Sequence, residues 1–205
     1  QVLREYQHVT QGLTTEKTIN PATGERTAPS TLDRVTFATG KVGRAVKLSG
    51  DYLSLGQPAS LNFAGRRALS VEFWLKGAAA EQTAQDYIDP FSLSHLLHQG
   101  LVFQAGPGAT AALNAAVGTG SGGTSCTFGA VYDGAWHHLA FSRDETSVSC
   151  YKDGVLHAEG SFPNGVGGVR MVDGWTAYVG RDNNGDGRKF VGLIDEVKVY
   201  SRAIS

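Results

Sequence analysis

The chain of 205 residues holds little of what marks most functional classes. It has no surplus of either charge: 18 Lys and Arg stand against 19 Asp and Glu, a formal net charge of −1. Without a basic stripe there is no electrostatic footprint for a phosphate backbone, so no nucleic acid is expected as a partner. No apolar run approaches the ~18 residues that a spanning helix needs, so no membrane insertion is expected. From Gln1 onward there is no charged segment followed by an apolar stretch, so any secretion signal is expected to lie outside this sequence. Gly-x-Ser-x-Gly, a P-loop and a nicotinamide-binding fingerprint do not occur. Gly118–Gly123 is glycine-rich, but no strand-to-helix context around it supports phosphate binding.

Cysteine is scarce as well, with two residues, Cys126 and Cys150. Cys126 shares strand parity with Phe128, and Cys150 with Val148, so both point towards apolar faces. Two buried thiols would serve as small hydrophobes. The even count and matching parity favour instead one disulfide between two strands, and with it an oxidising compartment.

What is present is globular and strand-like. Hydrophobic residues make up 41% of the chain, enough for a core, and the length suits one domain of sandwich type over 1–205. The 27 glycines fit a fold with many tight turns. Residues 1–40 read as an irregular N-terminal approach, with a first strand somewhere in Val2–Leu13. Leu69, Val71, Phe73 and Leu75 then alternate with Ser70, Glu72, Trp74 and Lys76, a period of two that means a half-buried strand. Ala78–Pro90 reads as a long loop, and Phe91–His98 and Leu101–Gln104 as two strands. Asp153-Gly154 signals a two-residue hairpin turn. Short strands at even spacing predict an all-β, two-sheet antiparallel sandwich with almost no helix.

The last sixteen residues carry the most information. Val191, Leu193, Asp195, Val197 and Val199 would share one strand face, four of them branched aliphatics, so that face should meet a core. Asp195 stands in its middle, and a carboxylate there is costly without compensation. Either the strand is bulged, or a cation waits for Asp195.

The same segment, with Gly43–Leu55, Leu69–Lys76, and Asp133–Phe141 followed by Ser149–Gly154, resembles in order the strands of laminin-G-like, concanavalin-like jelly-roll domains. The resemblance implies a two-sheet jelly roll and a secreted recognition module, usually part of a larger multidomain chain. It also implies a structural calcium held by Asp195 and a carbonyl near Gly50, with Glu5 as a guessed third ligand. A separate calcium candidate comes from the residues themselves. Asp182-Asn-Asn-Gly-Asp-Gly places side-chain oxygens at Asp182, Asn184 and Asp186 before a turn glycine, which suits a hard cation wanting 6–8 oxygens. Position twelve of an EF-hand would be Leu193 here, so the loop is not that motif, and a plain polar turn is the competing reading.

Among aromatics, Trp175 follows Asp173-Gly174 and is expected to be exposed as a platform for sugar rings, with Tyr132, Tyr87 and Tyr178 as other candidates. Trp74 and Trp136 read as core or sheet-face packing. His137 and His138 must point to opposite sides and read as structural, whereas His95 and His98 lack a third ligand for zinc. Glycosidases of the resembled fold carry an E-x-D-x-x-E strand, which this chain does not, and Asp195 and Glu196 as neighbours would face opposite sides. The expectation is therefore a non-catalytic, extracellular carbohydrate-binding module with calcium. The alternatives are a protein-binding adhesion domain or a ligand-free spacer.

Overall fold

Alternating apolar and polar residues, broken by Gly, Asp and Asn, fold into a succession of short strands. The computed structural model describes residues 18–19, 26–27, 36–82, 87–93, 99–106, 112–119, 122–162, 168–171, 175–182 and 188–204. Its strands are β1 (Thr18–Ile19), β2 (Arg26–Thr27), β3 (Thr36–Thr39), β4 (Arg44–Ser49), β5 (Leu53–Gly56), β6 (Leu69–Ala78), β7 (Ile88–Leu93), β8 (Gln99–Ala105), β9 (Leu113–Thr119), β10 (Gly123–Gly129), β11 (Asp133–Arg143), β12 (Ser147–Lys152), β13 (Val155–Ser161), β14 (Ala177–Val179) and β15 (Val191–Tyr200). Helix among the described residues is confined to two 3-10 turns, Ala59–Leu61 and Ala79–Glu81. The expected first strand in Val2–Leu13 lies outside the described residues. Thr36–Thr39, expected as part of an irregular approach, is a paired strand.

β1 and β2 pair with each other. The other strands form two antiparallel sheets, a six-stranded one ordered β10-β9-β8-β7-β14-β5 and a seven-stranded one ordered β13-β12-β11-β6-β15-β4-β3. This is the expected sandwich. The two inner faces meet at a phenylalanine cluster. Phe103 lies 4.8 Å from Phe73, 5.6 Å from Phe128, 5.9 Å from Phe91 and 6.2 Å from Phe141, ring centre to ring centre. Each such ring, fully buried, contributes about 1.5–3 kcal/mol to the sandwich.

Cys126 on β10 and Cys150 on β12 are bonded, with Cα atoms 5.7 Å apart. The bridge joins the six-stranded sheet to the seven-stranded one, so the expected disulfide is an inter-sheet tie. At the β12–β13 turn, Asp153 (φ 54°) and Gly154 (φ 80°) take the left-handed conformations that a two-residue hairpin requires.

β15 resolves the puzzle of Asp195 in favour of a bulge. Its pairing with β6 runs Ile194↔Leu75 and Asp195↔Trp74, then skips to Lys198↔Glu72. Glu196 is the extra residue, with φ 50°. One inserted residue reverses parity: Ile194 faces the core before it, and Val197 and Val199 face the core after it. Asp195 therefore lies on the outer face opposite Trp74, not among the aliphatics as simple alternation predicts.

Candidate functional site

The outer face of the seven-stranded sheet gathers chemistry that the alternation of β6 sends away from the core. Register fixes its rows: Trp136 beside Lys76 and Leu193; His138 beside Trp74 and Asp195; Tyr151, Ala140, Glu72 and Lys198; then Ser142, Ser70 and Tyr200. Neighbours in a row are about 4.8 Å apart, so this is one continuous surface. Trp74, Trp136, Tyr151 and Tyr200 are all partly exposed on it, with the small Ala140 beside Tyr151. The His138 ring lies 5.1 Å from the Trp74 indole, and Lys41, on the β3–β4 turn, places its ammonium 4.5 Å over that indole. Residues 202–204 bound the far end, where the Ile204 amide donates to Ser142 Oγ at 2.9 Å and Ser70 Oγ donates to the Arg202 carbonyl at 2.9 Å.

Glu72 is the polar hub. Tyr200 donates its hydroxyl to Glu72 Oε1 at 2.7 Å, Lys198 Nζ is 3.5 Å from the same oxygen, and His138 Nε2 is 3.5 Å from Oε2. Burial, then the hydrogen bond to Glu72, pushes the Tyr200 phenol up to about 12, so it remains a donor at neutral pH. Glu196 Oε2 lies 3.7 Å from Lys198 Nζ, which brings it to the outer face beside Asp195 and corrects the expectation that the two acids face opposite sides. Aromatic faces framed by paired donors and acceptors suit a ligand with both C–H faces and hydroxyls.

The calcium ligands expected from the family resemblance do not converge. Asp195 Oδ2 accepts from the Val42 amide at 2.9 Å and Oδ1 from the Glu196 amide at 2.9 Å. Ile194 pairs with Val46 and Val191 with Ser49, so Gly50 lies beyond the far end of that pairing, several strand residues from Asp195. The carboxylate is occupied by backbone amides, and the Asp195–Gly50 pair does not fit a metal. Glu5, Asn184, Asp186, His95 and His98 lie outside the described residues. Asp182 is fully buried, with Arg188 Nη1 3.3 Å from its Oδ2.

The expected ligand aromatics Trp175, Tyr132 and Tyr178 differ in their exposure. Trp175 is 8% exposed, not a surface platform, because it continues the inward parity of Ala177 and Val179. Tyr132 is 4% exposed and packs 6.2 Å from Phe190, so it too is withdrawn from ligand. Tyr178 alone of the three reaches solvent, on the six-stranded sheet, edge-on to Tyr52 at 5.6 Å with the Arg181 guanidinium over both rings. Tyr87 is partly exposed beneath the Arg188 guanidinium. His137 and His138 do split: His137 lies inward, between Asp153 Oδ2 at 2.8 Å and Asp133 Oδ1 at 3.1 Å.

A buried polar cluster that the sequence did not announce lies around Asp89. Burial, reinforced by the neighbouring Asp182 carboxylate, pushes its pKa up to about 9. Burial, then the charge of Asp89, also raises the Tyr132 phenol.

Comparison with known proteins follows the fold. Residues 48–205 match a laminin G family model described as the Concanavalin A-like lectin/glucanases superfamily. No curated protein sequence matches the chain. Among solved structures, domain 4 of AbnA, a GH43 extracellular arabinanase from Geobacillus stearothermophilus in complex with arabinotriose, is similar at 26% identity and a TM-score of 0.61, covering 83% of this chain and 77% of that one. The botulinum neurotoxin serotype G binding domain shares 14% identity with a TM-score of 0.62, over 83% of this chain and 44% of that one. Domains LG4-5 of the mouse laminin α1 chain share 15% identity with a TM-score of 0.54, over 78% and 44%. The last two show a common fold.

Proposed function

The chain belongs to the laminin G, concanavalin A-like lectin/glucanases superfamily, and from that premise we propose that it is a non-catalytic, extracellular carbohydrate-binding module of a larger protein. The observation that carries the reading is the outer face of the seven-stranded sheet. Trp74, Trp136, Tyr151 and Tyr200 stand partly exposed in adjoining rows there, with Glu72, His138 and Lys198 in the same rows and Lys41 over the Trp74 indole. Pyranose and furanose rings offer apolar C–H faces for the aromatics and hydroxyls for the paired charges. The arabinotriose held by the similar arabinanase domain supports a neutral oligosaccharide as the class of ligand.

Binding without cleavage fits the acids on this face. Glycoside hydrolysis needs two carboxyl groups free to act on one bond. Glu72 is committed to Tyr200, Lys198 and His138, Glu196 to Lys198, and Asp195 to two backbone amides. The inter-sheet disulfide supports an oxidising, extracellular setting.

The test is titration of arabino-oligosaccharides and a glycan array with the wild-type chain and Trp74→Ala. Loss of the indole should weaken binding at least tenfold, or about 1.4 kcal/mol, with the melting temperature falling by only a few degrees, because Trp74 lies outside the core and loses its His138 and Lys41 contacts alone. Retained affinity in Trp74→Ala, or an array with no bound glycan, would defeat the reading.

A further inference from the structure

Trp74 does not lie bare on the outer face. The Lys41 ammonium stands 4.5 Å over the centre of its indole. The carbon atoms of a stacked ligand pack at about 3.5–4.0 Å from their partners, so the ammonium holds the place that a sugar ring would take. The β3–β4 turn brings it there. The Gly40 amide donates to the Gly43 carbonyl at 3.0 Å, and the Val42 amide donates to Asp195 Oδ2 at 2.9 Å, which fastens the turn to the outer face. A Cβ at Gly40 would meet that same carboxylate oxygen and the Ala45 amide nitrogen, so the turn backbone lies tight against β15 and β4. The Lys41 side chain is held far less firmly. It is exposed, and among the described residues its ammonium has no carboxylate within ion-pair range. Asp195, which anchors the turn, gives its oxygens to the Val42 and Glu196 amides. The indole is what keeps the ammonium in place.

We propose that Lys41 is a built-in plug of the aromatic platform: in the empty chain its ammonium covers Trp74, and a stacking ligand binds by lifting it off the ring. The inference rests on the glycan reading and adds a competitor to it. Release needs only rotation of the four-carbon side chain, because the turn backbone is anchored separately. An exposed contact between a lysine and an indole face shifts an equilibrium by about two- to fivefold. Every ligand that stacks on Trp74 is weakened by that same factor, because only the chains with a bare ring can accept it. In return, an empty chain shows less apolar surface to solvent.

The experiment titrates arabinotriose, and any glycan bound on the array, into wild type, Lys41→Ala and Lys41→Arg. Lys41→Ala should bind about two- to fivefold tighter than wild type. Lys41→Arg should bind more weakly, because a guanidinium stacks better on an aromatic face. In the empty wild type the Lys41 ε-methylene resonances should lie upfield, in the ring current of Trp74, and move back as the sugar is added. A lysine that instead donates to sugar hydroxyls gives the opposite pattern, with Lys41→Ala weaker and Lys41→Arg largely unchanged. That pattern, or equal affinity in all three chains, would overturn the plug and leave the glycan reading standing. If no chain binds any of these sugars, the glycan reading fails and acrylamide quenching of tryptophan fluorescence decides the plug. Lys41→Ala should then be quenched more readily than wild type, and identical quenching would overturn the proposal.

Discussion

Reducing the bond between Cys126 and Cys150 changes two atoms and should weaken the whole sandwich. The two residues are 24 apart in sequence, so the bridge closes a modest loop in the unfolded chain. Chain-entropy arithmetic for a loop of that length gives about 3.4 kcal/mol of stabilisation. For a domain of this size each kcal/mol moves the melting temperature by roughly 2–4 °C, so reduction should lower it by about 7–14 °C. Calorimetry with and without a phosphine reductant, on wild type and on the Cys126→Ala, Cys150→Ala double variant, measures the drop. The reduced wild type is the cleaner comparison, because the variant also empties volume at two buried positions. The loss should appear in the unfolding entropy. A drop below about 3 °C, or one carried by the unfolding enthalpy with entropy unchanged, would refute the reasoning and place the value of the bridge in native contacts.

Other expectations follow from close approaches and from charge. Gly40→Ala should destabilise by about 1–3 kcal/mol, because a Cβ there would meet Asp195 Oδ2 and the Ala45 amide; urea titration checks it, and an unchanged midpoint would mean the turn shifts freely. The Asp144 carboxyl is held below its ordinary value, first by the Thr146 amide and also by that of Ser147, and Asp133 by the Ala135 amide and then His137. A depressed folded pKa contributes stability above the unfolded value near 3.9 and loses it as pH falls through the folded one. Melting temperature should therefore fall steadily below about pH 4, and Asp144→Ala should flatten part of that slope. An identical slope in the variant would place the acid sensitivity elsewhere.

Strand content was legible because β6 alternates so cleanly: Leu69, Val71, Phe73 and Leu75 are all buried. That same alternation already placed Trp74 and Glu72 on the outer face. It could not say whether a further layer would cover them, since period two distinguishes two faces and not which of them meets solvent. The bulge at Glu196 was half legible, as a carboxylate in the wrong phase. The sequence carried no mark of where the extra residue sits. Trp175 misled because the Asp-Gly before it suggested a turn, while its parity with Ala177 and Val179 was the stronger signal. Asp89 left no trace at all. All six residues of β7 are buried, so no alternation separates its faces, and Gln104 and Asp182 come to it only through pairing and layering distant in sequence.

The arrangement around Glu72 also bears on how fast a partner can arrive. Its charge is answered on the spot by Lys198, with His138 and Tyr200 completing the ring, so the face casts no long-range field into solvent. Encounter should then proceed at the unsteered rate of about 10⁵–10⁶ M⁻¹s⁻¹, and salt, which throttles steered association, should leave it unchanged. On the proposed reading, such a surface would capture uncharged chains equally well in dilute and in saline surroundings, and hold them only as long as the stacking lasts.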